Sequence, residues 1–205
     1  MLIGIATAIS LICEYIPFLN LPFGGTITIA STLPVIAISY MYGLKWGFGS
    51  AFVYSLIQIA VGTKTVAALF TPADDGSVAF GMAIGVILID YILAFTALGL
   101  GGIFGKMKSK KGALVLGSVL ALTLCYFFHF LSGALYYGAW AEWFFTDTVL
   151  AELSVSKYIM ENFTGAGLAA IYSLVYNGCY MIPEIIITAI VAVPISIIKQ
   201  VKREI

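Results

Sequence analysis

Residues 127–137 read FFHFLSGALYY, and residues 172–184 read YSLVYNGCYMIPE. The first segment places His129, the only histidine of the chain, in an apolar run that ends in paired tyrosines. The second segment brings Asn177 and Glu184 into another apolar run. Polar groups in such surroundings are costly unless they have protein partners or a ligand. We therefore interpret the rest of the chain as a scaffold that brings these two segments together.

The composition is that of an integral membrane protein. Of the 205 residues, 61% are hydrophobic and 10% are charged, and the mean hydropathy is +1.06. A soluble domain carries about 25% charged residues. A helix needs about 20 apolar residues to cross a bilayer, so the chain has room for six spans. We expect an all-α, polytopic fold with six transmembrane helices in a single domain, residues 1–205.

Turn-forming or charged connections separate the predicted spans. The spans cover about residues 1–17, 27–43, 46–62, 78–104, 112–138 and 167–198. The first apolar run begins at Met1 without a basic leader and ends at Pro17 without a small-residue cleavage site. We therefore interpret it as a retained span and not as a signal peptide.

Basic residues predict the orientation. Those on one side of the six-span arrangement are Lys45, Lys106, Lys108, Lys110, Lys111, Lys199, Lys202 and Arg203. Lys64 and Lys157 fall on the other side. Because cytoplasmic loops carry the excess of Lys and Arg, both termini are expected in the cytoplasm. The connections 18–26, 63–77 and 139–165 then face outward.

The outer connection 139–165 is long enough for a short amphipathic helix. Its aromatic residues are Trp140, Trp143, Phe144 and Phe145. One interpretation is an aromatic belt at the level of the lipid headgroups. The other is a lid over an outward-facing pocket, and connection 63–77 is a second candidate lid.

Polar residues inside the spans are candidates for a binding site. Asp90 lies in the apolar run GVILIDYIL, residues 85–93, where no Lys or Arg is available at comparable depth; such a carboxylate is a functional candidate. We expect His129 to contact a ligand, with Asp90 and Asn177 as companions. No second histidine or nearby cysteine supplies a metal-ligand set, so no metal site is expected. Glu184 follows Pro183, and the alternatives are a site residue or a partner of backbone loosened at a proline kink.

Tyrosines add flat faces that stack on a ring or a cation. Candidates are Tyr54, Tyr91, Tyr136 and Tyr137, although each taken singly is more often a packing residue. One carboxylate, one imidazole, one amide and several phenols, without a deep Lys or Arg, favour a small aromatic, cationic or amine-bearing ligand. The same set disfavours a phosphorylated or carboxylate ligand.

At these segments the chain resembles the thiamine-specific S components of energy-coupling-factor (ECF) vitamin transporters. The similar features are His-Phe-x-Ser-Gly with the following aromatic pair at 129–137, the run at 172–184, and Asp90-Tyr91-x-Leu-Ala-Phe. The resemblance implies a six-helix substrate-binding subunit, without catalytic activity or cofactor, in the plasma membrane of a prokaryote. It also implies two kinds of partner, a transmembrane coupling protein and two ATP-binding-cassette (ABC) ATPases.

The resemblance also implies roles for single residues. Asp90 stands where the family has a glutamate that holds the aminopyrimidine ring, and Tyr137 where a tryptophan stacks on thiamine. Tyr54 replaces another tryptophan, and Gly25 occupies the position of a tryptophan that closes over the ligand. Together with residue chemistry, this assigns substrate binding to Asp90, Tyr91, His129, Tyr137, Tyr172, Asn177 and Tyr54.

Gly4 and Ala8 form a small-xxx-small pair in the first span, which allows close helix approach. The resemblance implies docking on the coupling protein through such a pair; packing within the chain is the alternative.

We expect high-affinity binding of thiamine or a close relative at the outer face, as part of an ABC importer. The chain has no Walker-type glycine loop, so transport requires the partner ATPases. Alternatives are an S component for another small heteroaromatic amine or vitamin precursor, and an intramembrane enzyme with Asp90 and His129 as an acid–base pair. A channel or a purely structural membrane protein is a third.

Overall fold

The structure is a computed structural model that describes residues 1–21, 25–71, 79–107, 110–148, 150–198 and 201. These residues contain helices and a single isolated β-bridge, between Asn20 and Thr26. The helices are α1 (Leu2–Glu14), α2 (Leu33–Tyr42), α3 (Leu44–Val61), α4 (Thr63–Ala68), α5 (Phe80–Gly102), α6 (Lys110–Tyr136), α7 (Ala141–Thr146), α8 (Ser154–Asn162) and α9 (Gly165–Ile195). Short 3-10 turns cover Pro17–Leu19 and Gly138–Trp140.

Four helices, α3, α5, α6 and α9, are long and apolar enough to cross a membrane. Helices α1 and α2 are apolar but shorter. Large apolar side chains on the four long helices point away from the protein; Leu88, Phe127 and Ile190 are each more than half exposed. A soluble protein does not leave apolar surface of this extent uncovered. The all-α membrane fold is confirmed with four candidate spans, and the six-span topology stays a prediction.

Helix α2 begins later than predicted. The sequence predicts a span from residue 27, but residues 27–32 are not helical, and that boundary is wrong. Ile29 and Ala30 have left-handed backbone, with φ of 48° and 61°, which a right-handed helix cannot include. Pro34 lies in the first turn of α2, where its missing N–H costs no intrahelical hydrogen bond. Pro34 therefore lies at the start of the helix, whereas the predicted span 27–43 has it inside a helix.

Helix α5 changes its winding along its length. It is α-helical over Phe80–Val86, π-helical over Ile87–Leu93 and 3-10 over Ala97–Gly102. The π segment contains Asp90, and the hydropathy pattern did not predict it. Wide π turns are rare and occur frequently at functional sites.

Helices α6 and α9 pack closely and bring the two motif segments together, as predicted. A Cβ atom at Gly133 would lie 2.2 Å from Oγ of Ser173, so the position has no space for a side chain. The Ser173 hydroxyl donates to the carbonyl of Phe130 at 2.7 Å. Tyr126 donates to the carbonyl of Leu174 at 2.6 Å. Gly133 of the first motif is therefore part of the helix contact.

The connection 139–165 contains two helices, α7 and α8, where one was predicted. On α7, Phe144 and Phe145 are buried, whereas Trp140 before it is exposed. The connection thus combines a packed aromatic face with an outward-facing indole.

Part of the basis for the orientation lies outside the described residues. This applies to Lys108, Lys199, Lys202 and Arg203 and to residues 72–77 of the second outer connection. The orientation of the termini stays a prediction.

Candidate ligand-binding site

A cavity of about 390 Å³ lies among α1, α3, α5, α6, α9 and the segment that precedes α2. All seven residues that the sequence assigns to substrate binding line it: Tyr54, Asp90, Tyr91, His129, Tyr137, Tyr172 and Asn177. Its volume falls in the range of small-molecule sites, about 300–1,000 Å³. Residues far apart in the chain therefore share one concave surface.

Asp90 and His129 form a pair at one wall of this cavity. Nδ1 of His129 lies 2.8 Å from Oδ1 of Asp90. On the other side of the ring, Nε2 lies 3.4 Å from Sγ of Cys125. The imidazole is buried, while the Asp90 side chain is 27% exposed. The sequence predicts that these residues lie together, and the structure places them in hydrogen-bond contact. This contact holds the imidazole and leaves Asp90 in the lining of the cavity.

Asn177 connects the two motif segments. Its Nδ2 donates to the carbonyl and hydroxyl of Ser173, at 2.8 and 3.1 Å, and to the carbonyl of His129 at 3.3 Å. Its Oδ1 accepts from the Tyr180 hydroxyl at 2.7 Å. The amide thus positions a tyrosine and the backbone beside the imidazole.

Aromatic rings form a continuous wall from α7 to α3. Successive ring centroids are 5.3–6.3 Å apart, the separation of interacting aromatic pairs. We call this series the aromatic wall; its members are Phe144, Tyr172, Tyr176, Tyr180, His129, Phe95 and Tyr54. Such a surface suits a heteroaromatic ring or an organic cation.

The remaining predicted tyrosines differ in their surroundings. Tyr54 is fully buried, and its hydroxyl accepts from Nε2 of Gln58 at 2.9 Å. Tyr137, just after α6, is partly buried at the cavity. Tyr136 packs against α5, because a Cβ atom at Gly85 would lie 2.1 Å from its hydroxyl oxygen. Tyr136 is therefore a packing residue, the alternative stated for each tyrosine.

Gly25 lies against the aromatic wall. Its N–H donates to the Tyr176 hydroxyl at 3.3 Å. A Cβ atom there would lie 2.7 Å from Cδ1 of Tyr180. The two tyrosines therefore fill the space that a larger residue at this position would need.

Tyr176 and Tyr180 are site residues that the sequence did not predict, and Glu184 is one whose role had two alternatives. All three line the cavity. Oε2 of Glu184 accepts the N–H of Thr28 at 3.0 Å, so its partner is the segment before α2 and not the backbone of its own helix. A sequence signal was present, because positions 172, 176, 180 and 184 are four apart and recur on one helix face.

Gly4 and Ala8 lie on an outward face of α1. Both are exposed, and a Cβ atom at Gly4 would have no heavy atom within 4 Å. Gly4 therefore does not pack closely within the chain, which was the alternative to a docking role.

Within the described residues, no group of three or more His, Cys, Asp or Glu side chains could hold a metal ion.

A polar pair and an aromatic wall around a cavity, within apolar helices, define a membrane protein that binds a small molecule. Residues 1–144 match the family described as thiamine transporter protein (Thia_YuaJ). The thiamine transporter ThiT of Bacillus subtilis (strain 168) is 31% identical over an alignment of 201 residues. The match covers 92% of this chain and 85% of the relative. The chain belongs to the thiamine transporter family. The resemblance of the chain to thiamine-specific transporters is confirmed, and the family consists of transporters and not of enzymes.

Proposed function

We propose that the protein binds thiamine at the outer face of the plasma membrane of a prokaryote, as the S component of an ECF-type ABC importer. The observation that carries this proposal is the cavity in which the Asp90–His129 pair lies beside the aromatic wall. It occurs in a member of the thiamine transporter family, and the Bacillus subtilis relative is a thiamine transporter.

Asp90 is the proposed acceptor for the aminopyrimidine ring of thiamine. One carboxylate oxygen holds His129, and the partly exposed side chain presents the other to the exocyclic amine. Such a charge-assisted hydrogen bond is stronger than a neutral one. Both ring nitrogens of His129 face protein atoms, at Asp90 and Cys125. We therefore assign His129 chiefly to orienting Asp90, which refines the expectation that His129 itself contacts the ligand.

The aromatic surfaces are the proposed partners of the thiazolium ring. Tyr137, Tyr91 and Tyr172 line the cavity together. A cation over an aromatic face gains about 0.5–2 kcal/mol. Asn177 supports this arrangement through its hydrogen bond to Tyr180.

The charges that line the cavity favour a cation. Asp90, Glu14 and Glu184 belong to the lining, and no Lys or Arg does in the part of the chain that the structure describes. A phosphate group on the ligand would lack the positively charged partners that anion sites supply. We expect thiamine monophosphate to bind at least 100-fold more weakly than thiamine.

We propose that α1 and α2 complete a six-span bundle with both termini in the cytoplasm. A helix of 13 residues is about 20 Å long, shorter than the hydrocarbon core of about 30 Å. The chain that follows α1 and the chain that precedes α2 therefore supply the rest of the two crossings. The exposed Gly4–Ala8 face of α1 is the proposed docking site for the transmembrane coupling protein, which joins the two ABC ATPases.

A ligand panel tests the proposal against its main alternative. Tryptophan fluorescence of the purified protein is followed while thiamine, its aminopyrimidine half or its thiazolium half is added; Trp143 packs beside the site tyrosines and serves as a reporter. We expect thiamine to bind at least 100-fold more tightly than either half. Equal affinity for one half would favour an importer of a vitamin precursor or of another heteroaromatic amine.

A further inference from the structure

The Glu184 carboxylate is a buried group that the proposed thiamine contacts do not use. It lies on α9, about two turns beyond Asn177, is 3% exposed and lines the cavity. A buried carboxylate is stable only with hydrogen-bond donors or a countercharge. Because the described lining contains no Lys or Arg, donors must stabilise it.

These donors come chiefly from the segment that precedes α2. Oε2 accepts the N–H of Thr28 at 3.0 Å, and the Thr188 hydroxyl lies 3.5 Å from Oε1. The Thr28 hydroxyl and the N–H of Ala30 also lie beside the carboxylate. The Ser31 hydroxyl donates to Oγ1 of Thr28 at 2.7 Å, which leaves the Thr28 proton for Glu184.

The backbone of this segment is unfavourable by itself. The φ angles of Ile29 and Ala30, 48° and 61°, lie in the left-handed region, which a branched side chain such as that of Ile29 rarely adopts. Such a backbone persists only where its surroundings hold it. The carboxylate of Glu184 binds the N–H of Thr28, just before Ile29, and the N–H of Ala30, just after Ile29, lies nearby.

The same segment, residues 25–32, forms one side of the cavity. Gly25, Thr26, Thr28, Ser31 and Thr32 line it. Near one end, the N–H of Gly25 reaches the Tyr176 hydroxyl on α9. Near its middle, Glu184 binds Thr28. Tyr176 and Glu184 of α9 therefore both bind this segment, and Glu184 does so through a carboxyl group.

We propose that Glu184 is a positioning residue that latches residues 25–32 to α9 and slows the escape of the bound ligand. Glu184 acts through residues 25–32 and not by direct contact with the ligand, because its oxygen atoms already accept hydrogen bonds from this segment. The identity of the escaping ligand rests on the proposed function, whereas the latch itself is testable in the protein without thiamine.

Amide hydrogen exchange of the full chain, without added ligand, tests the latch directly. Glu184→Leu keeps a similar side-chain size and removes the acceptor. We expect the amides of residues 25–32 to exchange at least tenfold faster in this variant, while those of α6 change less than twofold. Glu161→Leu makes the same chemical change at an exposed position of α8 and serves as the control, with less than twofold change in either region. Unchanged exchange in residues 25–32, or equal acceleration in α6, would overturn the latch.

Dissociation of thiamine, measured by stopped-flow tryptophan fluorescence, tests the consequence for the ligand. We expect Glu184→Leu to release thiamine at least tenfold faster, with association within threefold of the wild type. Glu184→Gln keeps one acceptor oxygen and is expected to give an intermediate rate; it carries both tests if the leucine variant does not fold. An effect confined to association would contradict the proposal. A wild-type protein that does not bind thiamine would contradict the proposed function, while the exchange result still decides on the latch.

Discussion

Asp90 and His129 lie 2.8 Å apart in an otherwise apolar part of the helix bundle. Each is costly at this depth without a partner, and together they satisfy part of their hydrogen-bonding capacity. One carboxylate oxygen of Asp90, Oδ1, contacts His129, and Asp90 also lines the cavity. The proposed binding role of Asp90 depends on this division.

Replacing Asp90 by asparagine tests that role. Asp90→Asn removes the charge with little change in size, so we expect thiamine affinity to fall at least tenfold, or about 1.4 kcal/mol. Calorimetric titration measures the change. Glu161→Gln, which removes an exposed charge on α8, should leave the affinity within twofold. Unchanged affinity in Asp90→Asn would remove Asp90 from the site.

Tyr137 tests the stacking role. In Tyr137→Phe the ring remains and the hydroxyl is lost, so we expect affinity within threefold of the wild type. In Tyr137→Ala the ring is lost, and we expect at least a tenfold decrease, because base–aromatic and cation–aromatic contacts depend on the ring face. Equal affinities for the two variants would show that the ring does not stack on the ligand.

The contact between α6 and α9 depends on the absence of a side chain at Gly133. Gly133→Ala would place a carbon atom 2.2 Å from Oγ of Ser173, and overpacking of this kind costs about 1–3 kcal/mol. We expect a lower thermal unfolding temperature. Gly81→Ala on α5 adds the same atom where nothing lies within 4 Å, and it should leave that temperature equal or higher. A Gly133→Ala protein as stable as Gly81→Ala would contradict the close approach.

Helix existence and type were predictable here, and local winding was not. The apolar runs identified the long helices, and polar residues inside them identified the Asp90–His129 pair. The π turn at Ile87–Leu93 leaves no trace in hydropathy, because apart from Asp90 this segment is apolar and has no polar–apolar period that a wider turn could shift. The non-helical start of the second predicted span forms a hydrogen bond from Thr28 to Glu184, partners 156 residues apart. Spacing within a window cannot show such a contact.

The cavity and the outward face of α1 are separate surfaces of the molecule. The first is proposed to bind thiamine and the second to dock the coupling protein. Gly4 is exposed and has no neighbour within 4 Å of an added Cβ atom, so the fold has no need of the glycine there. Binding and transport should therefore be separable by substitution.

Gly4→Ile tests this separation. We expect thiamine affinity within threefold of the wild type and ATP-dependent uptake, in cells that contain the coupling protein and ATPases, near background. Gly81→Ile makes the same change at an equally open position of α5 and should retain uptake. Normal uptake by Gly4→Ile would place the docking surface elsewhere.

The most direct test of the account is calorimetric titration of the purified wild-type protein with thiamine. The aromatic wall, the Asp90–His129 pair and the family membership together predict one bound thiamine per chain, with a dissociation constant below about 1 μM, or more than about 8.2 kcal/mol of binding free energy. The absence of any binding below the micromolar range would contradict the assignment of thiamine as the ligand.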